Sequence, residues 1–105
     1  MKDLRVVIPA YNEETSIGEV INRLGGTCSG AKIIVVDDGS RDNTALIAKE
    51  KRIKVISNPT NYGYGKALKI GFNYNLDDGG GIKYLAFLDA DGTYPVEKNP
   101  ELYAL

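Results

Sequence analysis

Short apolar runs rich in β-branched residues alternate along this chain with stretches that carry a helical stripe, and this alternation is the strongest constraint on its fold. Leu4–Ile8 (LRVVI), Lys32–Val36 (KIIVV), Ile53–Ile56 and Tyr84–Leu88 are the strand candidates. Pro9 is expected to end the first of them. The run KIIVV is continuously apolar rather than alternating, as in a central parallel strand covered on both faces. Ile17, Val20, Ile21 and Leu24 recur at i, i+3, i+4 and i+7, which predicts a helix over Glu13–Leu24. Asn12 can cap this helix, Glu13 and Glu14 suit its first turn, and Gly25-Gly26 is expected to stop it. A second helix is predicted from Asp42 to Lys51, with Ala45, Leu46 and Ala48 as its apolar face. A third, Lys66–Asn75, carries Ala67 and Gly71, small residues that permit close approach to a sheet. Asn58–Gly65 reads as a loop, Asp77–Gly81 as a turn, and Pro100 as the start of a further helix.

The order β-α-β-α-β-α-β with short connections implies right-handed crossovers. The expected fold class is α/β: Rossmann-like, a mainly parallel four-stranded sheet with helices on both faces. A length of 105 residues suits one domain, and 43% hydrophobic with 26% charged residues is a globular composition. Thirteen basic against fourteen acidic side chains leave a net charge of -1, which argues against a nucleic-acid partner. The apolar runs fall far short of the ~20 residues needed to span a bilayer. The N-terminus lacks the apolar core of a signal peptide, so a cytoplasmic location is expected. With one cysteine, Cys28, and no histidine, the sequence excludes an internal disulfide, a Ser-His-Asp triad and a His-ligated metal. Acid–base or metal chemistry must rest on carboxylates, lysine, tyrosine or a partner.

In sheets of this kind ligands bind beyond the C-terminal strand ends. Pro9-Ala10-Tyr11-Asn12-Glu13, Asp37-Asp38-Gly39-Ser40, Ser57-Asn58 and Asp89-Ala90-Asp91-Gly92 stand there, and five carboxylates (Glu13, Asp37, Asp38, Asp89, Asp91) are expected to gather at this edge. Two carboxylates separated by one residue, as in Asp89-Ala90-Asp91, can bind Mg²⁺ or Mn²⁺ and so bridge a diphosphate. The same pair can serve only as turn formers. Its position directly after Leu85–Leu88 and opposite a second acidic turn favours the metal. Asp37-Asp38-Gly39-Ser40 has two compatible readings: an acceptor for a base N–H or ribose hydroxyls, and a turn in which Ser40 or Asp42 caps the next helix. Gly63-x-Gly65-Lys66 can bring a phosphate to a helix N-terminus, or can be a flexible loop with a solvated lysine. Tyr11, Tyr62 and Tyr64 can stack on a base or simply pack. Cys28 has no basic neighbour to activate it and reads as inert.

Four ordered blocks carry a family resemblance: Val7-Ile8-Pro9-Ala10-Tyr11-Asn12-Glu13-Glu14, Val35-Val36-Asp37-Asp38-Gly39-Ser40-x-Asp42-x-Thr44, Asn61-x-Gly63-x-Gly65-Lys66-Ala67-Leu68, and Leu88-Asp89-Ala90-Asp91-Gly92-Thr93-Tyr94-Pro95. The chain resembles the nucleotide-binding part of a family 2 glycosyltransferase of GT-A fold, closest in flavour to the dolichyl- and polyprenyl-phosphate sugar transferases. The resemblance implies a truncated GT-A fold in which residues 1–105 form the nucleotide-sugar-binding half and the acceptor half is absent. It implies nucleotide contacts from Pro9, Tyr11, Glu13, Asp38, Lys66 and Asp89, and a divalent ion (Mg²⁺ or Mn²⁺) on Asp89 and Asp91. Thr93 stands where dolichyl-phosphate mannose synthases often carry a metal-touching glutamine.

The implied function is the donor-binding part of an inverting transferase that moves sugar from a UDP- or GDP-linked donor to an acceptor such as polyprenyl phosphate, at the membrane face. A homo-oligomer or a missing C-terminal half is the implied partner, and the chain alone is expected to transfer no sugar at a useful rate. The alternative is a non-catalytic nucleotide-binding or interaction module left from such an enzyme.

Overall fold

The computed structural model describes residues 4–27, 30–77, 84–87 and 102–104. The chain runs β1 (Leu4–Ala10), α1 (Ile17–Thr27), β2 (Lys32–Asp37), α2 (Thr44–Glu50), β3 (Lys54–Ser57), α3 (Tyr64–Asp77), β4 (Tyr84–Phe87) and β5 (Leu102–Ala104). The sheet order is β3-β2-β1-β4-β5. β1 pairs in parallel with β2 and β4, and β2 with β3, which is the doubly wound arrangement read from the sequence. β5 adds a fifth, antiparallel strand against β4 where a helix was expected after Pro100. A three-residue strand has too short a pattern to declare itself, and here pairing to the edge of β4 decides it.

β1 is buried at every position because it is flanked by strands and covered by helices. Its alternation sorts the two layers. Leu4, Val6, Ile8 and Ala10 face a core shared with Ile17, Val20, Ile21 and Leu24 of α1, Val35 of β2 and Ala48 of α2. Val7 lies on the other face with Val36 of β2 and Ala67 of α3. Each such fully buried aliphatic side chain contributes about 1.5–3 kcal/mol. Gly71 lets α3 lie close to the sheet: a Cβ there would overlap Val7 and stand 3.1 Å from Val36 Cγ2. Phe72 meets Phe87 of β4 edge-on, with ring centroids 6.4 Å apart.

Several boundaries differ from the sequence pattern for local reasons. β1 does not stop at Pro9, because its pairing with β2 continues to Ala10↔Asp37 while the described β4 pairs end at Val7↔Phe87. α1 begins at Ile17 rather than Glu13: Asn12 sits in left-handed backbone (φ 53), and Glu13–Ser16 forms a separate turn. α1 also passes through Gly25 and Gly26 to Thr27. Glycine inside a helix costs about 1 kcal/mol relative to alanine but does not forbid it. Left-handed Gly30 (φ 86) then stands just ahead of β2. α2 is shorter than expected and α3 longer at both ends, so that Asp77 closes α3. Cys28 and residues 78–81 of the expected turn lie outside the described residues. No helix among the described residues is long and apolar enough to cross a membrane.

Candidate functional site

The ladder continues one step past the ends of β1, β2 and β3 and draws three loops together. Asp38 N donates to Ala10 O at 2.8 Å, and Asn58 N to Asp37 O at 2.8 Å. The first two loops are latched by side chains on both sides. Asn12 N donates to Ser40 Oγ and Arg41 N to Asn12 Oδ1, each at 2.9 Å. Glu13 N donates to Thr44 Oγ1 at 2.9 Å, Glu14 N to Asp42 Oδ2 at 3.2 Å, and Asn43 N to Glu14 Oε2 at 3.1 Å. Asn12 thus clamps the second loop instead of capping α1, and its left-handed backbone is one asparagine tolerates. Asp42 Oδ1 accepts from Thr44 N and Thr44 Oγ1, so Asp42 orders the start of α2, while the Ser40 hydroxyl serves Asn12.

Asp42 shares the charge of this latch with the Glu14 carboxylate. Partial desolvation raises the Asp42 pKa, but the bonds from the Thr44 hydroxyl and from the Thr44 and Glu14 amides outweigh it, and the carboxyl lies below its ordinary value of 3.8. A depressed folded-state pKa contributes stability that is present above the unfolded value and is lost as pH falls through the folded one. Asp42→Asn is therefore expected to cost stability at neutral pH and to flatten the fall of Tm below about pH 4. Thermal melts of both proteins across pH 2.5–7 check this, and parallel acid limbs would contradict it.

The second and third loops meet over Asp38, which is buried at 3% exposure. Its Oδ1 accepts from Asn58 Nδ2 at 2.8 Å and Tyr62 N at 2.9 Å, and its Oδ2 from Gly63 N at 2.9 Å. Its carbonyl accepts from Asn61 Nδ2 at 3.4 Å. Gly39, at φ 77, passes so close to the third loop that a Cβ would lie 2.5 Å from the Thr60 carbonyl carbon. Beside it Asp37, 5% exposed, accepts from Ser40 N at 3.1 Å. Protein donors therefore offset the charge of both aspartates.

Between these loops opens a polar cavity of about 280 Å³, walled by Tyr11, Asp37, Arg41, Asn58 and Asn61 and by the Gly39-Ser40 and Pro59-Thr60 segments. An exposed tyrosine ring, amide groups, a carboxylate and a guanidinium suit a planar heteroaromatic ligand with an anionic tail.

The residues singled out from sequence fall in different places. Tyr11 lines the cavity and is 44% exposed. Asp38 lies behind the wall and braces it. Pro9 is buried in β1, and Glu13 belongs to the latch, with its Oε2 accepting from Ser16 Oγ at 3.4 Å. Lys66, in the first turn of α3, holds its ammonium 4.7 Å from the Tyr62 ring centroid. Asp89 and Asp91 lie outside the described residues, and no group of three or more potential metal ligands occurs among the described ones. Asn58 and Asn61 were placed at this edge without a role, and Arg41 was not named. Arg41 was legible as the one cation in the turn after β2.

Fold and cavity together define a doubly wound α/β unit with a polar cavity at the C-terminal strand edge. The family described as Glycosyl transferase family 2 matches residues 5–105, and the chain belongs to it. Over 99 residues it is 34% identical to the polyprenol monophosphomannose synthase of Mycolicibacterium smegmatis, covering 89% of this chain. The chain spans 37% of that relative's length. S. aureus TarS 1–349 in complex with UDP-GlcNAc superposes with a TM-score of 0.73 at 30% identity, over 87% of this chain and 27% of that one. Glucosyl-3-phosphoglycerate synthase from Mycobacterium tuberculosis, in complex with Mn²⁺, UDP and glucosyl-3-phosphoglycerate, gives 0.65 at 29% identity, over 83% and 33%.

Proposed function

We propose that this chain is the donor-binding half of an inverting glycosyltransferase that moves a sugar from a UDP- or GDP-linked donor to a lipid phosphate at the cytoplasmic face of a membrane. The observation that carries the reading is the cavity at the strand ends, held by three cross-bonded loops in a member of this family. Tyr11 presents its ring to the nucleobase, and Asp37, Asn58 and Asn61 offer the polar atoms that select it. Arg41 and Lys66 supply positive charge for the diphosphate. Pro9, Glu13 and Asp38 fix the backbone that positions these groups.

The acidic side chains of Asp37 and Asp38 are already engaged by N–H donors, which points to Asp89-Ala90-Asp91 as the pair that takes a divalent cation. Two carboxylates offer the hard oxygen donors that Mg²⁺ and Mn²⁺ prefer. When bound, the ion supplies charge neutralisation to the leaving diphosphate. In the transfer, an acceptor phosphate oxygen forms a bond to the anomeric carbon as the bond from that carbon to the donor diphosphate breaks, the electron pair leaving with the nucleoside diphosphate. The attacking oxygen is anionic at neutral pH, so a chain without histidine needs no imidazole base. The residues of this half bind and orient the donor.

Calorimetric titration with UDP and GDP, with and without Mn²⁺, tests the reading. Tyr11→Ala is expected to weaken binding about tenfold in both conditions, the scale of one lost base–aromatic stack. Asp91→Asn is expected to remove only the part of the affinity that Mn²⁺ adds. Absence of binding by the unaltered chain in either condition would sink the proposal.

A further inference from the structure

We propose that the cavity at the strand ends selects guanine over uracil, so that the donor is GDP-linked, and that the Asp37 carboxylate makes the selection. The inference rests on the nucleotide-binding reading above and narrows it to one base. Its ground is the direction of the hydrogen bonds around the cavity, where N–H groups are turned into the protein. Ser40 N donates to Asp37 Oδ1 at 3.1 Å, and Arg41 N to Asn12 Oδ1 at 2.9 Å. Asn58 N donates to Asp37 O at 2.8 Å. Both asparagines of the wall turn their NH₂ groups to Asp38: Asn58 Nδ2 to Oδ1 at 2.8 Å, and Asn61 Nδ2 to the carbonyl at 3.4 Å. Carboxylate and carbonyl oxygens only accept, so each amide must present its nitrogen to Asp38 and its oxygen away from it.

This leaves oxygens on the cavity side. Asp37 is 5% exposed and Asn58 8%, and both line the cavity. An ionised carboxylate offers about four acceptor positions. Asn58 Nδ2, Tyr62 N and Gly63 N occupy most of those at Asp38, whereas Ser40 N takes one at Asp37. Among the described residues no wholly buried side-chain oxygen or nitrogen lacks a partner. Asp37 Oδ2 and Asn58 Oδ1, which receive no donor from the described residues, therefore reach the cavity. Guanine presents two adjacent donors, N1–H and the 2-amino group, and one carboxylate can accept both. Uracil presents a single N–H between two carbonyls and would set oxygen against oxygen along this wall. Cytosine and adenine each place a ring acceptor beside their amino group. A buried acceptor left unpaired by the wrong base is what discriminates. The Tyr11 ring stacks on any base and so adds affinity without choice.

Calorimetric titration with GDP, UDP, ADP, inosine diphosphate and xanthosine diphosphate, each with Mn²⁺ and with EDTA, tests the proposal. GDP is expected to bind at least about tenfold more tightly than UDP, the scale of one bidentate base contact. Inosine diphosphate, which lacks the 2-amino group, is expected to bind roughly tenfold more weakly than GDP, as loss of one hydrogen bond to a charged group requires. Both of these comparisons use the unaltered chain. Asp37→Asn offers one oxygen and one NH₂ group, which match the N1–H and 2-carbonyl of xanthine, so this variant is expected to prefer xanthosine diphosphate to GDP. Each order should persist in EDTA, because the contact is to the base. UDP binding as tightly as GDP, or indifference to the 2-amino group, would overturn the proposal and leave nucleotide binding standing. So would an Asp37→Asn loss shared equally by all five nucleotides, the mark of a ribose contact, or one confined to the Mn²⁺ condition. Failure of every nucleotide to bind would defeat the parent reading and this inference with it.

Discussion

Gly39→Ala is expected to lower stability by about 3 kcal/mol or more and to abolish nucleotide binding. Two costs coincide at this position. The backbone stands at φ 77, where a Cβ costs roughly 1–2 kcal/mol by itself. That Cβ would also lie 2.5 Å from Thr60 C, 2.7 Å from Asn61 N and 2.8 Å from Thr60 O. All three are backbone atoms, so no rotamer change relieves the overlap. The third loop must move as a unit, and it is tied by Tyr62 N, Gly63 N and Asn58 Nδ2 to the Asp38 carboxylate. For a domain of this size the loss corresponds to a fall in Tm of roughly 12–24 °C. Gly65→Ala is the control: nothing lies within 4 Å of its Cβ, and it sits in the first turn of α3. Alanine there should be neutral or slightly stabilising. Thermal melts and UDP titration of both variants decide it. A Gly39→Ala protein melting within about 2 °C of the parent would contradict the close packing of the two loops.

The layers were legible because they follow from periodicity. KIIVV in β2 and the i, i+3, i+4, i+7 stripe of α1 each state which faces are covered, and the cores around Val35 and Leu24 follow from them. Gly71 was legible for the same reason, as a small residue on the sheet-facing side of a helical pattern. The ends of elements were not, because they are decided by contacts distant in sequence. α1 starts late since Glu13 N donates to Thr44 Oγ1, 31 residues away, and Asn12 is drawn to Arg41. β5 depends entirely on the free edge of β4, which no local pattern reports.

For the site, the strand-end rule placed the right loops at one edge but gave no account of which side chains face the ligand. Asp37 and Asp38 are adjacent and chemically alike, yet only Asp37 lines the cavity. β2 ends between them, and Asp38 turns inward to the amides of Tyr62 and Gly63. Nothing in the dipeptide distinguishes the two. Ser40 and Asp42 were alternative caps for the next helix, and only the three-dimensional pairing of the loops sends the Ser40 hydroxyl to Asn12.

Removing the Asp38 carboxylate is expected to loosen the whole third loop rather than a single ligand contact. Asp38→Ala leaves three donors without their acceptor: Asn58 Nδ2, Tyr62 N and Gly63 N. A buried donor stripped of its partner costs about 1–3 kcal/mol, and water entering from the half-buried Gly63 side recovers part of that, so a net loss of roughly 3–5 kcal/mol is expected. Asp38→Asn should fare little better. Its amide group can keep one oxygen acceptor, but the NH₂ must then face another N–H donor. Because the loop supplies Asn58 and Asn61 to the cavity wall, nucleotide affinity should fall by a similar factor with and without Mn²⁺. Hydrogen exchange separates this bracing role from direct recognition of the base. If Asp38 acts by bracing, the Tyr62 and Gly63 amides of Asp38→Ala exchange roughly a hundredfold faster than in the parent, even without nucleotide. If those amides keep their protection while affinity alone drops, Asp38 touches the ligand itself, and the bracing role assigned to its three hydrogen bonds is wrong.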